Sequence, residues 1–254
     1  IVLVFFKVLA WTLIWSFFAT FTNYFLGMVV ALLINKKGIK LKKLWRTILI
    51  TTIAVPQFVS LLLISQMFKT TGFVSRLFVD MGIMGADFEL LADPLISKII
   101  IIVVNMWVGI PYTMLICSGI LMNIPEDLYE SARIDGASPF KMYMKITLPY
   151  MLFITGPYLI SSFVGNINNF NVIYLLTGGG PEFALAYPGQ IPIQHISVGQ
   201  TDLLITWIYK ICMTGQNDYA SASVIGMLIF IIVAIFSFVF YGRSNAVKNE
   251  EDFQ

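Results

Sequence analysis

Five long apolar runs constrain the fold of this 254-residue chain more than any other feature of its sequence. They cover about residues 8–34, 47–68, 97–122, 149–176 and 220–241. Each run reaches the roughly 20 residues that a helix needs to cross a bilayer. The composition agrees, because 58% of the residues are hydrophobic and 12% are charged, with a mean hydropathy of +0.83, whereas about a quarter of a soluble domain is charged. We therefore predict one all-α, polytopic membrane domain with five spans.

The polar residues exclude several classes of protein. A net charge of +2, with few basic residues, argues against a nucleic-acid partner. Cys117 and Cys212 lie in apolar surroundings and form no motif with His195, the single histidine, so the sequence indicates neither a disulfide nor a metal site. It contains no GxxxxGK(S/T) phosphate loop, no HExxH and no Ser/His/Asp grouping. We therefore expect no catalytic residue and no cofactor, and energy for any transport must come from another chain.

The basic residues predict which loops face the cytoplasm. Eleven of the sixteen Lys and Arg residues fall in three segments: between the first two runs, within 123–147, and after the last run. Because cytoplasmic loops are enriched in such residues, these segments are predicted inside, and segments 69–97 and 177–219 outside. The apolar stretch 202–212 is too short to span and is expected at the interface. The chain opens at Ile1 without a methionine or charged leader, so we expect part of a longer protein.

The segment 123–149, NIPEDLYESARIDGASPFKMYMKITLP, is too charged for lipid and indicates two short helices. Pro125 suits a first helical turn, and the first helix is predicted to end near Ile134. Gly136 can close it in a left-handed conformation, and the Ser-Pro pair at 138–139 predicts a second, capped helix. A small apolar face, which lipid would not cover on a cytoplasmic loop, is expected to contact a protein partner and comprises Leu128, Tyr129 and Ala132.

Proline and amide residues within the spans indicate a solute pathway. Pro56, Pro111 and Pro157 each lie inside a predicted span. Proline kinks a helix and frees a carbonyl, which a neighbour or a water-lined cavity must satisfy. Simple packing bends are the alternative interpretation. Together with adjacent polar residues, three such prolines favour a pathway.

Four residues of the fourth span are predicted on one helical face, because their spacing is i, i+3, i+4 and i+7: Ser162, Gly165, Asn166 and Asn169. A carboxamide donates and accepts hydrogen bonds, which suits a neutral sugar hydroxyl, although asparagines also link helices to each other. Gly109 on the third span would let a ligand approach the backbone, and Tyr112 supplies a ring and a hydroxyl. Gln57 adjoins the proline of the second span.

The polar segment resembles the EAA loop, EAAxxDGAxxxxxFxxIxLP, of ABC importer membrane subunits. The matching residues are Glu130, Ala132, Asp135, Gly136, Ala137, Ile146, Leu148 and Pro149. Ser131 and Tyr143 replace the second alanine and the phenylalanine. Four other sequences are similar to those of maltose/maltodextrin permease subunits, so the likeness covers nearly the whole chain. They are AVPQF at 54–58, WVGIPY at 107–112, NINNF at 166–170 and TGGGP at 177–181.

The resemblance implies the transmembrane domain of a type I ABC importer in the bacterial cytoplasmic membrane, spanning residues 1–254. The loop 123–147 would be a cytoplasmic coupling helix on an ATPase subunit, through Glu130, Ala132, Asp135, Gly136 and Ala137. The implied sugar site comprises Gln57, Val108, Gly109, Tyr112, Ser162, Gly165, Asn166 and Asn169. The resemblance implies a translocation path for a maltodextrin-like oligosaccharide. Gly165 stands where one family member has an aromatic residue and Gln57 where it has a hydroxyl residue, which suggests a different oligosaccharide or weaker binding.

The implied partners are a homologous second permease subunit, two ATP-binding cassette subunits, an extracellular or periplasmic solute-binding protein and the oligosaccharide. The alternative is a secondary carrier or channel for a neutral polar solute. A carrier usually has an ionisable residue inside the membrane for ion coupling. No Asp, Glu, Lys or Arg lies in the middle of the five predicted spans, and this favours the importer subunit.

Overall fold

The computed structural model describes residues 2–36, 38–85, 87–183, 198–213 and 217–243, which fold mainly into helices. In chain order the helices are α1 (Val2–Asn35), α2 (Lys42–Ala54), α3 (Gln57–Phe68), α4 (Phe73–Asp80), α5 (Pro94–Leu121), α6 (Glu126–Ile134), α7 (Pro139–Met142), α8 (Leu148–Ile167), α9 (Phe170–Thr177), α10 (Leu204–Met213) and α11 (Tyr219–Arg243). A π-helical turn, Tyr143–Thr147, joins α7 to α8.

Five helical stretches of the described chain are long and apolar enough to cross a membrane. They are Val2–Asn35, Gln57–Asp80, Pro94–Leu121, Pro139–Thr177 and Tyr219–Gly242. The prediction of an all-α fold with five spans is therefore confirmed. As expected from its length, α10 has only ten residues and is too short to span.

The second predicted span, 47–68, is divided rather than kinked. Helix α2 ends at Ala54 and α3 begins at Gln57, with Pro56 between them at φ −54° and ψ 123°. Proline lacks the N–H that a continuing helix needs and disfavours helical backbone in the residue before it. Pro56 therefore ends one helix and starts another, whereas Pro111 and Pro157 do lie inside α5 and α8.

The fourth span is also interrupted, and here the prediction of one helical face was wrong. Helix α8 ends at Ile167, and α9 begins at Phe170. Asn169 between them has an extended backbone, φ −75° and ψ 94°. Its side chain therefore does not continue the face that Gly165 and Asn166 share inside α8.

The helices group into two compact units. The first unit comprises Ile1–Ala19, Val55–Asn105 and Val164–Val233, and the second comprises Thr20–Ala54, Met106–Phe163 and Ala234–Gln254. The first unit thus holds the two segments that the charge pattern assigns to the outside, 69–97 and 177–219. The second holds the three segments assigned to the cytoplasm.

Large apolar side chains fill the interior of each unit. In the first unit, Trp15, Leu61, Ile173 and Trp207 are fully buried, and the Ser65 hydroxyl donates to the Leu176 carbonyl at 2.7 Å, which joins α3 to α9. In the second unit a cluster packs α1, α5 and α8 together around Tyr24, Met28, Ala31, Ile34, Met114, Cys117 and Met151. The Tyr24 hydroxyl pairs there with that of Thr155 at 2.7 Å.

Candidate functional site: a polar hairpin and two sets of polar residues

The segment from Glu126 to Thr147, here called the EAA hairpin, belongs to the second unit and is built by local backbone signals. Helix α6 ends in a Schellman motif, in which the Gly136 N–H donates to the Arg133 carbonyl at 3.0 Å and the Ala137 N–H to the Ala132 carbonyl at 2.9 Å. Gly136 has a φ of +73°, as the sequence predicted, and a Cβ there would meet no atom within 4 Å. Glycine is therefore favoured for its backbone conformation and not for space.

The same motif explains the spacing of two alanines. Ala132 is the third residue from the end of α6, and Ala137 is the second residue beyond its cap. In a Schellman motif these two positions commonly make the apolar contact that accompanies the backbone bonds. Both residues are half-buried. The predicted coupling residues Ala132, Gly136 and Ala137 thus shape the turn between the two helices.

The second half of the hairpin is capped and tied to the first. The Ser138 hydroxyl accepts from the Lys141 N–H at 3.3 Å, which confirms the predicted cap. The π-helical turn lies just before Pro149, whose ring would collide with the Lys145 carbonyl in a regular α-helix. A hydrogen bond of 2.8 Å between the hydroxyls of Tyr129 and Thr147 connects α6 to this turn.

The hairpin presents both apolar and acidic side chains to its surroundings. Glu130 and Asp135 are exposed, as a contact through these carboxylates requires. Among the apolar residues, Ile134 is 86% exposed, Phe140 73% and Leu128 47%. The predicted apolar face included Leu128 but missed Ile134 and Phe140, and its other members, Tyr129 and Ala132, are half-buried.

Behind the hairpin, a cavity of about 670 Å³ separates it from the ends of α1 and α5. Asn35, at the end of α1, holds this region together. Its Nδ2 donates to the Ala31 carbonyl at 2.8 Å and to the Ser118 hydroxyl at 3.1 Å. Its carbonyl accepts from the Lys42 ammonium at 3.0 Å, and its Oδ1 accepts from the Arg46 guanidinium. One asparagine thereby connects α1, α2 and α5, a role that its sequence context did not reveal.

Four of the eight predicted sugar-site residues lie in the second unit: Val108, Gly109, Tyr112 and Ser162. Tyr112 is 54% exposed, and its ring lies 6.4 Å from that of Tyr158. Gly109 is covered by the Asn23 side chain, because a Cβ on Gly109 would overlap the Asn23 amide. The space over this glycine is thus occupied by a side chain and is not open to a ligand.

Asn23 is a polar residue of this region that the sequence patterns did not predict. It lies in α1, and its buried Oδ1 has no hydrogen-bond partner among the described residues. A buried amide oxygen without a partner costs free energy, so it marks a place where a hydroxyl donor would be stabilising. The sequence feature that could have indicated this residue is a lone asparagine within an apolar run.

The other four predicted residues lie in the first unit: Gln57, Gly165, Asn166 and Asn169. The structure brings Asn166 and Asn169 together, since the Asn169 Nδ2 donates to the Asn166 Oδ1 at 3.3 Å. The Asn169 Oδ1 also caps α9 by accepting from the Val172 N–H at 3.2 Å. The backbone carbonyl of Asn166 accepts from the Trp15 indole at 3.1 Å. Gln57 is exposed at the first residue of α3.

A buried polar network in the first unit involves the TGGGP sequence. We call it the Asp202 knot, and its members are Thr177, Gly179, Gly199, Thr201, Asp202, Thr206 and Lys210. The Asp202 carboxylate accepts from the Lys210 ammonium at 2.7 Å, the Gly199 N–H at 2.6 Å and the Thr206 hydroxyl at 2.8 Å. Burial raises the pKa of the Asp202 carboxyl above its ordinary value, and the Lys210 ammonium opposes that rise.

Thr201 and its neighbours connect the knot to the rest of the first unit. The Thr201 hydroxyl donates to the Gly180 carbonyl at 2.6 Å and lies 2.9 Å from the Thr177 hydroxyl. The Thr201 carbonyl accepts from the Trp11 indole at 3.0 Å. The Leu204 N–H donates to the Thr12 hydroxyl at 3.2 Å. The knot therefore fixes both ends of segment 182–200, whose residues 184–197 lie outside the described part of the chain.

With this geometry in place, the comparisons with known proteins assign the chain to a class. Residues 23–246 match the model of the family described as "Binding-protein-dependent transport system inner membrane component". The chain belongs to this family. A crystal structure of a bacterial alginate ABC transporter, in complex with an alginate pentasaccharide-bound periplasmic protein, contains a similar chain with a TM-score of 0.76. At 20% identity over 96% of this chain and 79% of that one, the likeness supports the fold alone.

Two relatives from Bacillus subtilis (strain 168) are similar in sequence. The galactooligosaccharides transport system permease protein GanP is 38% identical over 237 residues, which is 92% of this chain and 54% of that protein. The maltodextrin transport system permease protein MdxF is 37% identical over 253 residues, 97% of this chain and 56% of that protein. The chain thus spans about half the length of these curated relatives. The resemblance to ABC importer permeases is confirmed.

Proposed function

We propose that this chain is the membrane-spanning permease subunit of an ATP-driven oligosaccharide importer in a bacterial plasma membrane. It would work with a second permease subunit, two ATP-binding cassette subunits and a solute-binding protein. The observation that carries the proposal is the EAA hairpin: a polar, capped helix pair with a left-handed glycine at its turn and with exposed apolar side chains. The membership of the family and the names of the relatives support it.

The exposed side chains of the hairpin favour a protein partner over lipid. Ile134 and Phe140 are large, apolar and mostly exposed, and the carboxylates of Glu130 and Asp135 are exposed on the same hairpin. Lipid tails would cover the apolar groups but would leave the carboxylates unsatisfied, whereas a protein cleft can satisfy both. An ATPase subunit offering an apolar cleft with basic residues fits this surface.

We propose a neutral oligosaccharide as the transported solute. The two relatives are named for galactooligosaccharides and maltodextrin, and both are neutral sugars that polar, uncharged side chains can bind. Asn166 and Asn169 in the first unit, and Tyr112 and Asn23 in the second, supply amide and hydroxyl groups of that kind. We expect Gln57, Val108, Gly165 and Ser162 to contribute as the resemblance implies. Gly109 would act by admitting the Asn23 amide.

A transport assay tests the sugar assignment. Asn166→Ala removes a carboxamide, and each neutral hydrogen bond contributes roughly 0.5–1.5 kcal/mol, so uptake of the cognate oligosaccharide should fall several-fold at unchanged expression. The matched control is Ser223→Ala, which removes an exposed hydroxyl that donates to the Tyr219 carbonyl of its own helical turn. Normal uptake by Asn166→Ala, or a loss caused by dissociation of the complex, would refute the assignment.

Two measurements test the subunit assignment itself. Purification of the full-length protein from its own membrane should recover an ATP-binding cassette subunit and a second permease in stable proportion. Single cysteines at Lys40 and Ala137 should react only with membrane-permeant reagents in intact cells, and a cysteine at Asp87 with impermeant ones. Labelling at Lys40 from outside would reverse the orientation and remove the hairpin from the cytoplasm.

A further inference from the structure

A second cavity, in the first unit, has a lining unlike that of a sugar site. It has a volume of about 510 Å³ and lies between α1, the start of α5 and the segment around Gln200. Two ammonium groups, those of Lys7 and Lys98, line it together with the rings of Trp11 and Phe183. Its volume falls within the roughly 300–1,000 Å³ of small-molecule pockets. Two cations beside aromatic rings indicate an anionic ligand.

The two ammonium groups lack an acidic partner in the described part of the chain. The Lys7 ammonium lies 5.8 Å from the centre of the Phe183 ring, and that of Lys98 lies 4.8 Å from the centre of the Trp11 ring. Asp202 also lines the cavity, but its carboxylate is engaged by Lys210, Gly199 and Thr206. The positive charge of the cavity is therefore left for a ligand to neutralise.

The position and exposure of the neighbouring side chains suit a cavity at the surface of a membrane. Lys7 follows the start of α1 by five residues, and Lys98 follows the start of α5 by four, so both ammonium groups lie near the ends of candidate spans. The exposed side chains around them on the same helices are large and apolar, namely Leu3, Phe6, Leu95 and Ile99. In a membrane, cations next to exposed apolar groups near the end of a span would lie at about the depth of the phospholipid headgroups.

We propose that this cavity binds the phosphate headgroup of an anionic phospholipid. The Lys7 and Lys98 ammonium groups would pair with the phosphate oxygens, and the Gln200 amide would donate a further hydrogen bond. The acyl chains would lie along the exposed apolar side chains of α1 and α5. Because the Trp11 indole also holds the Thr201 carbonyl, the bound headgroup would stabilise the region where the Asp202 knot meets α1. The proposal requires only that the chain is inserted in a membrane. It holds whichever solute the chain transports.

Native mass spectrometry of the purified full-length protein tests the proposal. The protein is equilibrated with equal amounts of phosphatidylglycerol and phosphatidylcholine carrying the same palmitoyl and oleoyl chains. Wild type should retain phosphatidylglycerol at least five-fold over phosphatidylcholine. The double variant Lys7→Gln/Lys98→Gln should lose this preference. Arg76→Gln removes one exposed cation from the same unit, outside the cavity, and should keep it.

Two further measurements separate the effect of charge from misfolding and a lipid site from a site for free phosphate. Lys7→Arg/Lys98→Arg preserves both charges and should retain phosphatidylglycerol, so a loss in the Gln variant with equal helical content reports charge and not misfolding. Soluble glycerol phosphate, added in excess, should not displace the lipid. Equal retention of the two lipids, an unchanged preference in the Gln variant, or displacement by glycerol phosphate would each overturn the proposal.

Discussion

The EAA hairpin and the Asp202 knot are both built around glycines, yet their stability has different origins. In the hairpin, Gly136 has open space where a side chain would be, and the hydrogen bonds that shape the turn join residues three to five apart. In the knot, a Cβ on Gly199 would overlap the Gly179 carbonyl oxygen. The bond from Trp11 to Thr201 joins residues 190 apart. The hairpin is thus a local structure with an exposed surface, and the knot is a buried tertiary structure.

This difference accords with the roles that we propose for the two regions. A docking element needs side chains that a partner can cover, and local capping is sufficient to keep its shape. The knot joins residues 177–183 to residues 198–202 and, through Trp11 and Thr12, to α1, and no partner is needed to hold it. Buried hydrogen bonds to a carboxylate, together with close glycine packing, stabilise it.

The largest expected effect comes from filling the space at Gly199. Gly199→Ala places a methyl group on the Gly179 carbonyl, which should cost about 3 kcal/mol or more and disrupt the knot. Gly136→Ala is the matched comparison, because it meets no neighbouring atom and should cost only about 1–2 kcal/mol for the left-handed backbone. Thermal unfolding of both purified variants measures the difference. Equal melting temperatures would contradict the contrast between the two regions.

A similar effect, dependent on pH, is expected when the cation of the knot is removed. In Lys210→Met only the hydrogen bonds from the Gly199 N–H and the Thr206 hydroxyl still oppose the effect of burial, so the pKa of Asp202 should rise further above its unfolded value. A carboxyl whose pKa is raised in the folded state contributes stability that is present below the unfolded pKa and lost as the pH rises through the folded pKa. The variant should therefore be destabilised most at pH 8, on the order of 3 kcal/mol, and less as the pH falls.

The control for this titration is Lys69→Met, which removes an exposed cation from the same unit. Its melting temperature should follow that of wild type at every pH. If Lys210→Met were instead most destabilised in acid, the carboxylate would be stabilised mainly by donors other than Lys210.

A smaller loss of stability is expected at Asn169, where two substitutions distinguish a role as a helix cap from a role in sugar binding. Asn169→Ala removes the cap of α9 and should cost about 1 kcal/mol. Asn169→Ser keeps a capping oxygen while removing the carboxamide, so it should restore stability without restoring a sugar contact. Melting temperature and uptake measured on both variants distinguish the roles. Full uptake by Asn169→Ser would make this residue a structural cap only.

The hairpin could be predicted from sequence because its signals are local. Gly136, Ser138 and the approximate end of α6 follow from capping rules that operate within a few residues, and the five spans follow from apolar length. The breaks at Pro56 and Asn169 were missed for a different reason. A proline inside an apolar run is compatible with either a kinked helix or a break between two helices. An asparagine can lie on a helical face or cap a new helix. Tertiary packing decides which of the two alternatives occurs.

The knot and the Asn23 amide could not be predicted in the same way. Asp202 begins a short apolar stretch, and nothing near it in sequence indicates that Gly199 and Lys210 both bind its carboxylate. The contact of Asn23 with Gly109 joins α1 to α5 across 86 residues of chain. Such pairs depend on how helices pack, which periodicity and composition leave open. The glycine at 109 indicated a close approach but not the group that approaches.

Our central proposal is that the EAA hairpin would couple ATP hydrolysis by a partner subunit to movement of a solute through this chain. Gly136→Val tests it most directly, because a β-branched residue disfavours the left-handed turn while leaving the spans unaltered. In proteoliposomes, we predict that the complex with the variant hydrolyses ATP through its ATPase subunits without importing oligosaccharide, or fails to retain those subunits. Oligosaccharide import at the wild-type rate per molecule of ATP hydrolysed, at equal protein content, would contradict the proposal.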